Sequence, residues 1–283
     1  MSQLVFQNEE GTICIGGGAK NAWRMTDISG LGMAPKTFQT AILSSQAGQR
    51  TISERKGARV ITVAGDVHSG EMPLAAHLSK AIRIFDKPGW LSVRAGAKSR
   101  RIWARCTAFE LGKRIGPYRE FQLQFYCDSP YFEESGKNTI ALFEREKMLK
   151  DTFSFPCVMS SRISKGTVIN GGDVEAEPVF EIYFGVLGDE GETGNLELLN
   201  RSNGQRLSIS HTAEGGETLT VDIPNRKIYN QNGENLISTL SDDSFLSSFV
   251  LDKGKNEVEV INHASRGICV VCRFSSKYLE AAY

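Results

Sequence analysis

The chain has 283 residues, enough for two domains of ordinary size, and its 40% apolar and 23% charged content is that of a globular protein. Acids and bases balance at 33 each, and the basic residues of the first half are scattered apart from Lys98, Arg100 and Arg101, which favours a solvated face or protein interface over a specific nucleic-acid site. The balance is uneven along the chain: residues 1–150 carry 22 basic and 14 acidic side chains, and residues 151–283 carry 11 and 19. That step suggests two different surfaces whose opposite charges could help copies or partners dock in register.

The first residues lack a basic segment followed by an apolar one, so no secretory signal is expected. No run approaches 18 apolar residues, so no transmembrane helix is expected either, and synthesis in the cytoplasm follows. The six cysteines, Cys14, Cys106, Cys127, Cys157, Cys269 and Cys272, are dispersed, unlike a disulfide framework. Cys269 and Cys272 have metal-like spacing, but in a strand residues three apart face opposite ways and cannot grip one ion. Buried, inert thiols are expected.

Residues 1–50 give little periodic signal. Gly16, Gly17 and Gly18 are followed by no phosphate-loop Lys-Ser/Thr, so they read as a turn or flexible loop. Residues 60–64 read as a strand and 65–70 as a loop. Asp66 and His68 on that loop are the nearest thing to a catalytic or metal pair, and a weak one. Residues 73–86 read as the clearest helix. Pro73 suits its first turn, Leu74, Leu78, Ile82 and Phe85 form an apolar stripe with Ala81, and the Asp86-Lys-Pro-Gly89 stretch ends it.

From there the pattern alternates. Residues 90–94 and 101–106 read as strands, the latter with Ile102, Ala104 and Cys106 opposite Trp103 and Arg105. Residues 112–117 read as a turn. In 120–125, Phe121, Leu123 and Phe125 face one side and Gln122 and Gln124 the other, the pattern of a sheet with one buried face. Residues 133–156 are transitional, with a strand at 139–143 and a short helix at 144–149 expected, and the domain boundary is placed near residue 150. Beyond it, strands are expected at 179–184, 195–199, 206–210, 217–223, 226–229, 256–261 and 267–274. Short strands with regular turns argue a β-sandwich.

The chemistry-bearing motifs are missing: no nucleophile elbow, no zincin helix, and four separated histidines, His68, His77, His211 and His263. Asp242-Asp243 and the acidic stretch 189–192 lack the alternating spacing of a calcium loop. No catalytic residue, metal ligand or cofactor is therefore expected. A sandwich can stack sugars on exposed aromatics, and Tyr183, Tyr229 and Phe245 are the candidates for a sugar or partner surface.

Six segments, in order, resemble the phage distal tail protein family, or siphovirus tail component. They are Ala75-Ala-His-Leu-Ser-Lys-Ala-Ile82 with the strand after Pro88-Gly-Trp90, the apolar strand ending at Ser129-Pro-Tyr-Phe132, residues 153–156, the Asn170-Gly-Gly-Asp-Val-Glu-Ala-Glu-Pro178 signature, residues 215–226, and Leu251-Asp-Lys-Gly-Lys-Asn256. Residues 1–50 and most of 186–205 are unmatched.

The resemblance implies a mainly β protein with one helix: an N-terminal split-barrel-like α+β ring domain, 1–150, and a C-terminal galectin-like β-sandwich, 151–283. It implies a structural, non-enzymatic protein of the virion tail tip, the baseplate hub, made in the host bacterial cytoplasm. The expected partners are five further copies in a homohexameric ring, the tail tube protein, a tail-associated hub protein, and a receptor-binding or side-fibre protein, with no membrane and no specific nucleic acid. Leu74, Leu78, Ile82, Pro130, Tyr131 and Phe132 are the expected ring-interface residues. The competing expectation is a carbohydrate-binding sandwich using Tyr183 and Tyr229.

Overall fold

The computed structural model describes residues 3–18, 21–42, 44, 47–69, 73–142, 144–147, 160–185, 193–263 and 268–281. The chain forms two compact units, Met1–Ser135 together with Lys277–Tyr283, and Gly136–Ser276. The first unit ends before the boundary expected near residue 150, because Asn138–Leu142 pairs with a strand of the second unit. The chain's last segment, assigned by sequence to the sandwich, belongs to the first unit.

The first unit contains β1 (Gln3–Asn8), β2 (Gly11–Gly16), β3 (Trp23–Ser29), β4 (Lys36–Ala41), β5 (Arg50–Lys56), β6 (Arg59–His68), α1 (Leu74–Phe85), β7 (Gly89–Ala95), β8 (Lys98–Ile115), β9 (Tyr118–Cys127) and β10 (Phe132–Glu134). Its main sheet is antiparallel in the order β2-β1-β7-β8-β9-β6-β3. The central strand β8 pairs with β7 through residues 98–104 and with β9 through residues 105–115. Register shifts between Cys106 and Ala108 and between Leu111 and Arg114 bend it, as extra residues in a strand do. The expected turn at 112–117 contracts to Gly116 and Pro117, with Gly116 at φ +58, and the strand runs on to Ile115. The expected loop at 65–70 is likewise mostly strand, since β6 pairs with β9 as far as His68.

Alternation sets the core. Phe121, Leu123 and Phe125 are buried as expected, and Val63, Ile61, Leu91, Ile102 and Phe6 join them. The α1 helix closes over this core through Ala81, Ile84 and Phe85. The Phe85 ring lies 5.6 Å from Phe6, 5.5 Å from Phe109 and 5.9 Å from Phe125. Ile82, expected in the buried stripe, is 55% exposed. A helix turns about 100° per residue, so the i, i+4, i+8 series drifts about 80° by its third member. Ala81 and Phe85 stay over Leu74, and Ile82 swings onto the rim.

The second unit contains β11 (Asn138–Leu142), β12 (Glu144–Lys147), β13 (Ser160–Asn170), β14 (Val179–Phe184), β15 (Thr193–Asn200), β16 (Gln205–Thr212), β17 (Thr218–Asp222), β18 (Lys227–Asn230), β19 (Gly254–Asn262) and β20 (Ile268–Phe274). Residues 144–147, expected as a short helix, form strand β12 paired with β13. Two five-stranded antiparallel sheets, β11-β20-β14-β17-β18 and β12-β13-β19-β15-β16, share one apolar core. Leu219, Val221 and Ile223 all point into it at 0% exposure. The chain then returns to the first unit as β21 (Lys277–Tyr278), paired with β10.

Candidate interaction surfaces

Asp66 and His68 sit two residues apart on one face of β6. His68 packs its ring 5.8 Å from Tyr118, and Asp66 stands directly opposite Glu120 on β9. Among the described residues no three His, Cys, Asp or Glu side chains gather as a metal site. Burial pushes the thiols of Cys127 and Cys272 up to about 12 and that of Cys106 to about 11, away from the thiolate form a nucleophile needs. Cys269 and Cys272 face opposite sides of β20, one exposed and one buried, as the strand reading requires.

The outer surface of β3, β6, β9 and the far half of β8 curves into a concavity of about 560 Å³. It is lined by Asp66, Glu110 and Glu120, with Arg24 and Lys113 beside them. Arg24 approaches Asp66 only to 3.8 Å, and Asp66 Oδ1, a buried atom, has no hydrogen-bond partner. Ile115 and Tyr118 on the rim are 56% and 40% exposed.

The β4–β5 hairpin has the opposite character. Every residue of β4 up to Thr40 and of β5 up to Arg55 is exposed. Register places Phe38 opposite Glu54 and Lys36 opposite Lys56 on one face, with Ile52 at the bulge. Its base is fixed by the Gly57 amide on the Pro35 carbonyl and by Lys56, whose ammonium donates to the Tyr131 hydroxyl and lies 5.1 Å over its ring. The first strand of this hairpin lies in residues 1–50, which give little periodic signal, and the second in 50–56, where no element is expected from the sequence.

The residues expected at a ring interface differ in exposure. Leu74 and Leu78 are half-buried against the first core, and Ile82 is exposed. Tyr131 is half-buried at the hairpin base. Phe132 is fully buried beneath the Arg59 guanidinium, 4.6 Å away, and the Pro130 carbonyl accepts two bonds from Arg59. Phe132 thus acts on any interface only through the core. Sequence reasoning passed over a second exposed ridge. Trp90 and Trp103 are paired across β7 and β8 in an edge contact at 5.2 Å, and Arg105 and Tyr126 are paired across β8 and β9.

In the second unit, Tyr183 and Tyr229 occupy one face of the β14-β17-β18 sheet, two strands apart, with Glu181 and Thr220 between. The Tyr183 hydroxyl donates to Glu181 at 2.7 Å, which raises the phenol pKa, and Arg273 holds the same carboxylate at 2.7 Å. Phe245 is 64% exposed. The segments that carried the family resemblance are staples. Asn170 donates to the Val174 and Leu251 carbonyls and accepts from the Gly172 amide. Asn256 donates to the Asp252 and Gly254 carbonyls and accepts from the Asp252 amide and Asn200. Residues 153–156 lie outside the described residues, as do 189–192.

The architecture is that of a two-part β protein, a split-barrel-like unit with one helix and a β-sandwich, whose described surfaces are ridges, a hairpin and an acidic concavity. Residues 171–278 match the model of the family described as siphovirus-type tail component, C-terminal domain. Among solved structures, the chain is similar to the Dit protein of phage SPP1, described as a paradigm of the hub adsorption apparatus in phages infecting Gram-positive hosts. The TM-score is 0.65 at 14% identity, over 89% of this chain and 92% of that one. It is also similar to a chain of the phage P2 baseplate in its activated conformation with calcium, at TM-score 0.53 and 11% identity, over 96% of this chain and 98% of that one. The same baseplate with strontium gives the same values. No curated protein sequence matches.

Proposed function

We propose that this chain is a structural, non-enzymatic component of a phage-type tail tip, a distal tail or baseplate hub protein. Six copies close into a ring through the first unit, and the ring joins the tail tube to tail-associated and receptor-binding or side-fibre proteins. The observation that carries this reading is the match of residues 171–278 to the tail-component family, within a fold that is similar to a phage hub protein along nearly its whole length. The surfaces support it: a projecting hairpin, an aromatic ridge and a charged concavity suit protein contacts, and Trp, Tyr and Arg are the side chains that dominate such interfaces. A head-to-tail contact closes only when its rotation matches the symmetry.

Native mass spectrometry of the purified full chain, with negative-stain images, tests the reading. A closed six-fold ring is expected. A protein that stays single at high concentration while turning over a substrate would overturn it.

A further inference from the structure

Resting on the tail-tip reading above, we propose that neighbouring copies join by seating the β4–β5 hairpin of one copy in the acidic concavity of the next. Two surfaces of the first unit are each incomplete, and they are complementary.

The hairpin is incomplete because, among the described residues, its two strands pair only with each other, and an isolated two-stranded hairpin is marginal in water. It nevertheless holds Phe38 and Ile52 at 53% and 65% exposure, with Ile42 beyond them at 74%. Its strands carry Lys36, Arg50, Arg55 and Lys56 against a single acid, Glu54. Lys36 is paired with Glu54 and Lys56 with Tyr131, so Arg50 and Arg55 are the cations the hairpin offers beside its apolar side chains.

The concavity is incomplete in the opposite sense. Register sets Asp66 directly across from Glu120, and Glu110 across from Gln122 one strand further on. Like charges directly opposed in a sheet repel. Arg24 at 3.8 Å from Asp66 and Lys113 on the same wall relieve this only in part, leaving three carboxylates against two cations, and Asp66 Oδ1 has no hydrogen-bond partner. Ile115 and Tyr118 offer apolar rim area beside these carboxylates. A partner bringing cations on either side of an aromatic and an aliphatic side chain satisfies both deficits.

None of the described hairpin residues lines the concavity of its own copy. β5 runs through Gly57 and Ala58 into the first residue of β6, where the hairpin base is pinned. Asp66 lies seven residues along β6, about 23 Å away at about 3.3 Å per residue. Donor and acceptor are therefore separate faces at opposite ends of one strand. Such a pair generates a head-to-tail series, which closes into a ring or runs on as a filament.

Compensating charge reversal in the full chain tests this by sedimentation velocity and native mass spectrometry, with circular dichroism to verify folding. Arg50→Glu with Arg55→Glu, and separately Glu110→Lys with Glu120→Lys, should each weaken self-association by roughly tenfold or more, since like charges at an interface are strongly disfavoured. Mixing the two folded variants, or combining all four changes, should restore assembly. Phe38→Ser alone should weaken assembly without changing charge. Rings that persist unchanged in both reversals would overturn this pairing while leaving the ring reading intact, and would assign the hairpin to another tail protein. An unmodified chain that never self-associates would overturn both.

Discussion

Arg59 and Leu279, 220 residues apart, are joined by a 2.8 Å hydrogen bond from the guanidinium to the Leu279 carbonyl. The same side chain, 1% exposed, also donates to the carbonyls of Gly30, Gly32 and Pro130. One buried cation thus ties four stretches of the first unit, the chain's end included. Arg59→Met should lower unfolding stability by about 3 kcal/mol or more, because four partly buried carbonyls lose the donor of a buried side chain. Arg59→Lys should recover little of it, since an ammonium cannot reproduce the planar fork. Urea denaturation of the three proteins measures both effects, and an unchanged midpoint in Arg59→Met would refute the tie.

Phe125 is fully buried, with its ring 5.2 Å from Phe6 and 5.9 Å from Phe85. Phe125→Ala should destabilise the first unit by about 3–5 kcal/mol. Phe125→Asp should collapse it, because an unpaired carboxylate would sit among aromatic rings. Near-ultraviolet circular dichroism reads the loss, and a soluble ring formed by Phe125→Asp would contradict the inward assignment.

That residue was legible in the sequence because period-2 alternation marks a half-buried strand without reference to its neighbours. The same held for Leu219, Val221 and Ile223. The β4–β5 hairpin was not legible, for the converse reason: with both faces exposed it has no buried side to impose a period. The extension of β8 to Ile115 was hidden by its bulges, which break alternation just where the chain bends. The candidate concavity was legible only as Asp66, since register alone brings Glu120 and Glu110 beside it. The sandwich assignment of residues 277–283 failed because a two-residue pairing, Phe132 with Tyr278 and Glu133 with Lys277, carries no local signal.

Asn256 and Asn200 are both fully buried and bonded to each other at 3.0 Å. Asn200 also donates to the Val250 carbonyl. Asn256→Leu should destabilise the second unit by about 2–4 kcal/mol, leaving the Asp252 amide, two carbonyls and Asn200 short of partners. The first unit should be unaffected. Hydrogen exchange resolved by peptide distinguishes the two, and protection lost equally in both units would count against the assignment.

Cys269 is exposed, whereas Cys127 and Cys272 are buried. Iodoacetamide at neutral pH should therefore modify Cys269 and spare the other two until the chain is denatured, as peptide mass mapping would read. The raised thiols also fix a direction for pH. Burial raises Cys106, Cys127 and Cys272 from 9.0 to between about 11 and about 12, Arg59 opposing the rise at Cys127. Between these limits the unfolded chain releases protons that the folded one retains, so this share of stability is complete below pH 9 and lost as pH rises through 11–12. Cys272→Ala should flatten that alkaline decline in thermal melts, and an unaltered slope would exclude the thiol as its source.

The sandwich enters after β10 and leaves into β21, and those two strands are hydrogen-bonded partners. Its two ends therefore start and stop at adjacent points of the host unit, which makes it an insertion and not an appendage. A loop added or lost there, or a different module spliced between the same two anchors, would leave every strand of the host paired as before. The sandwich can therefore change in sequence and length between these two anchors while the strand pairing of the first unit is kept.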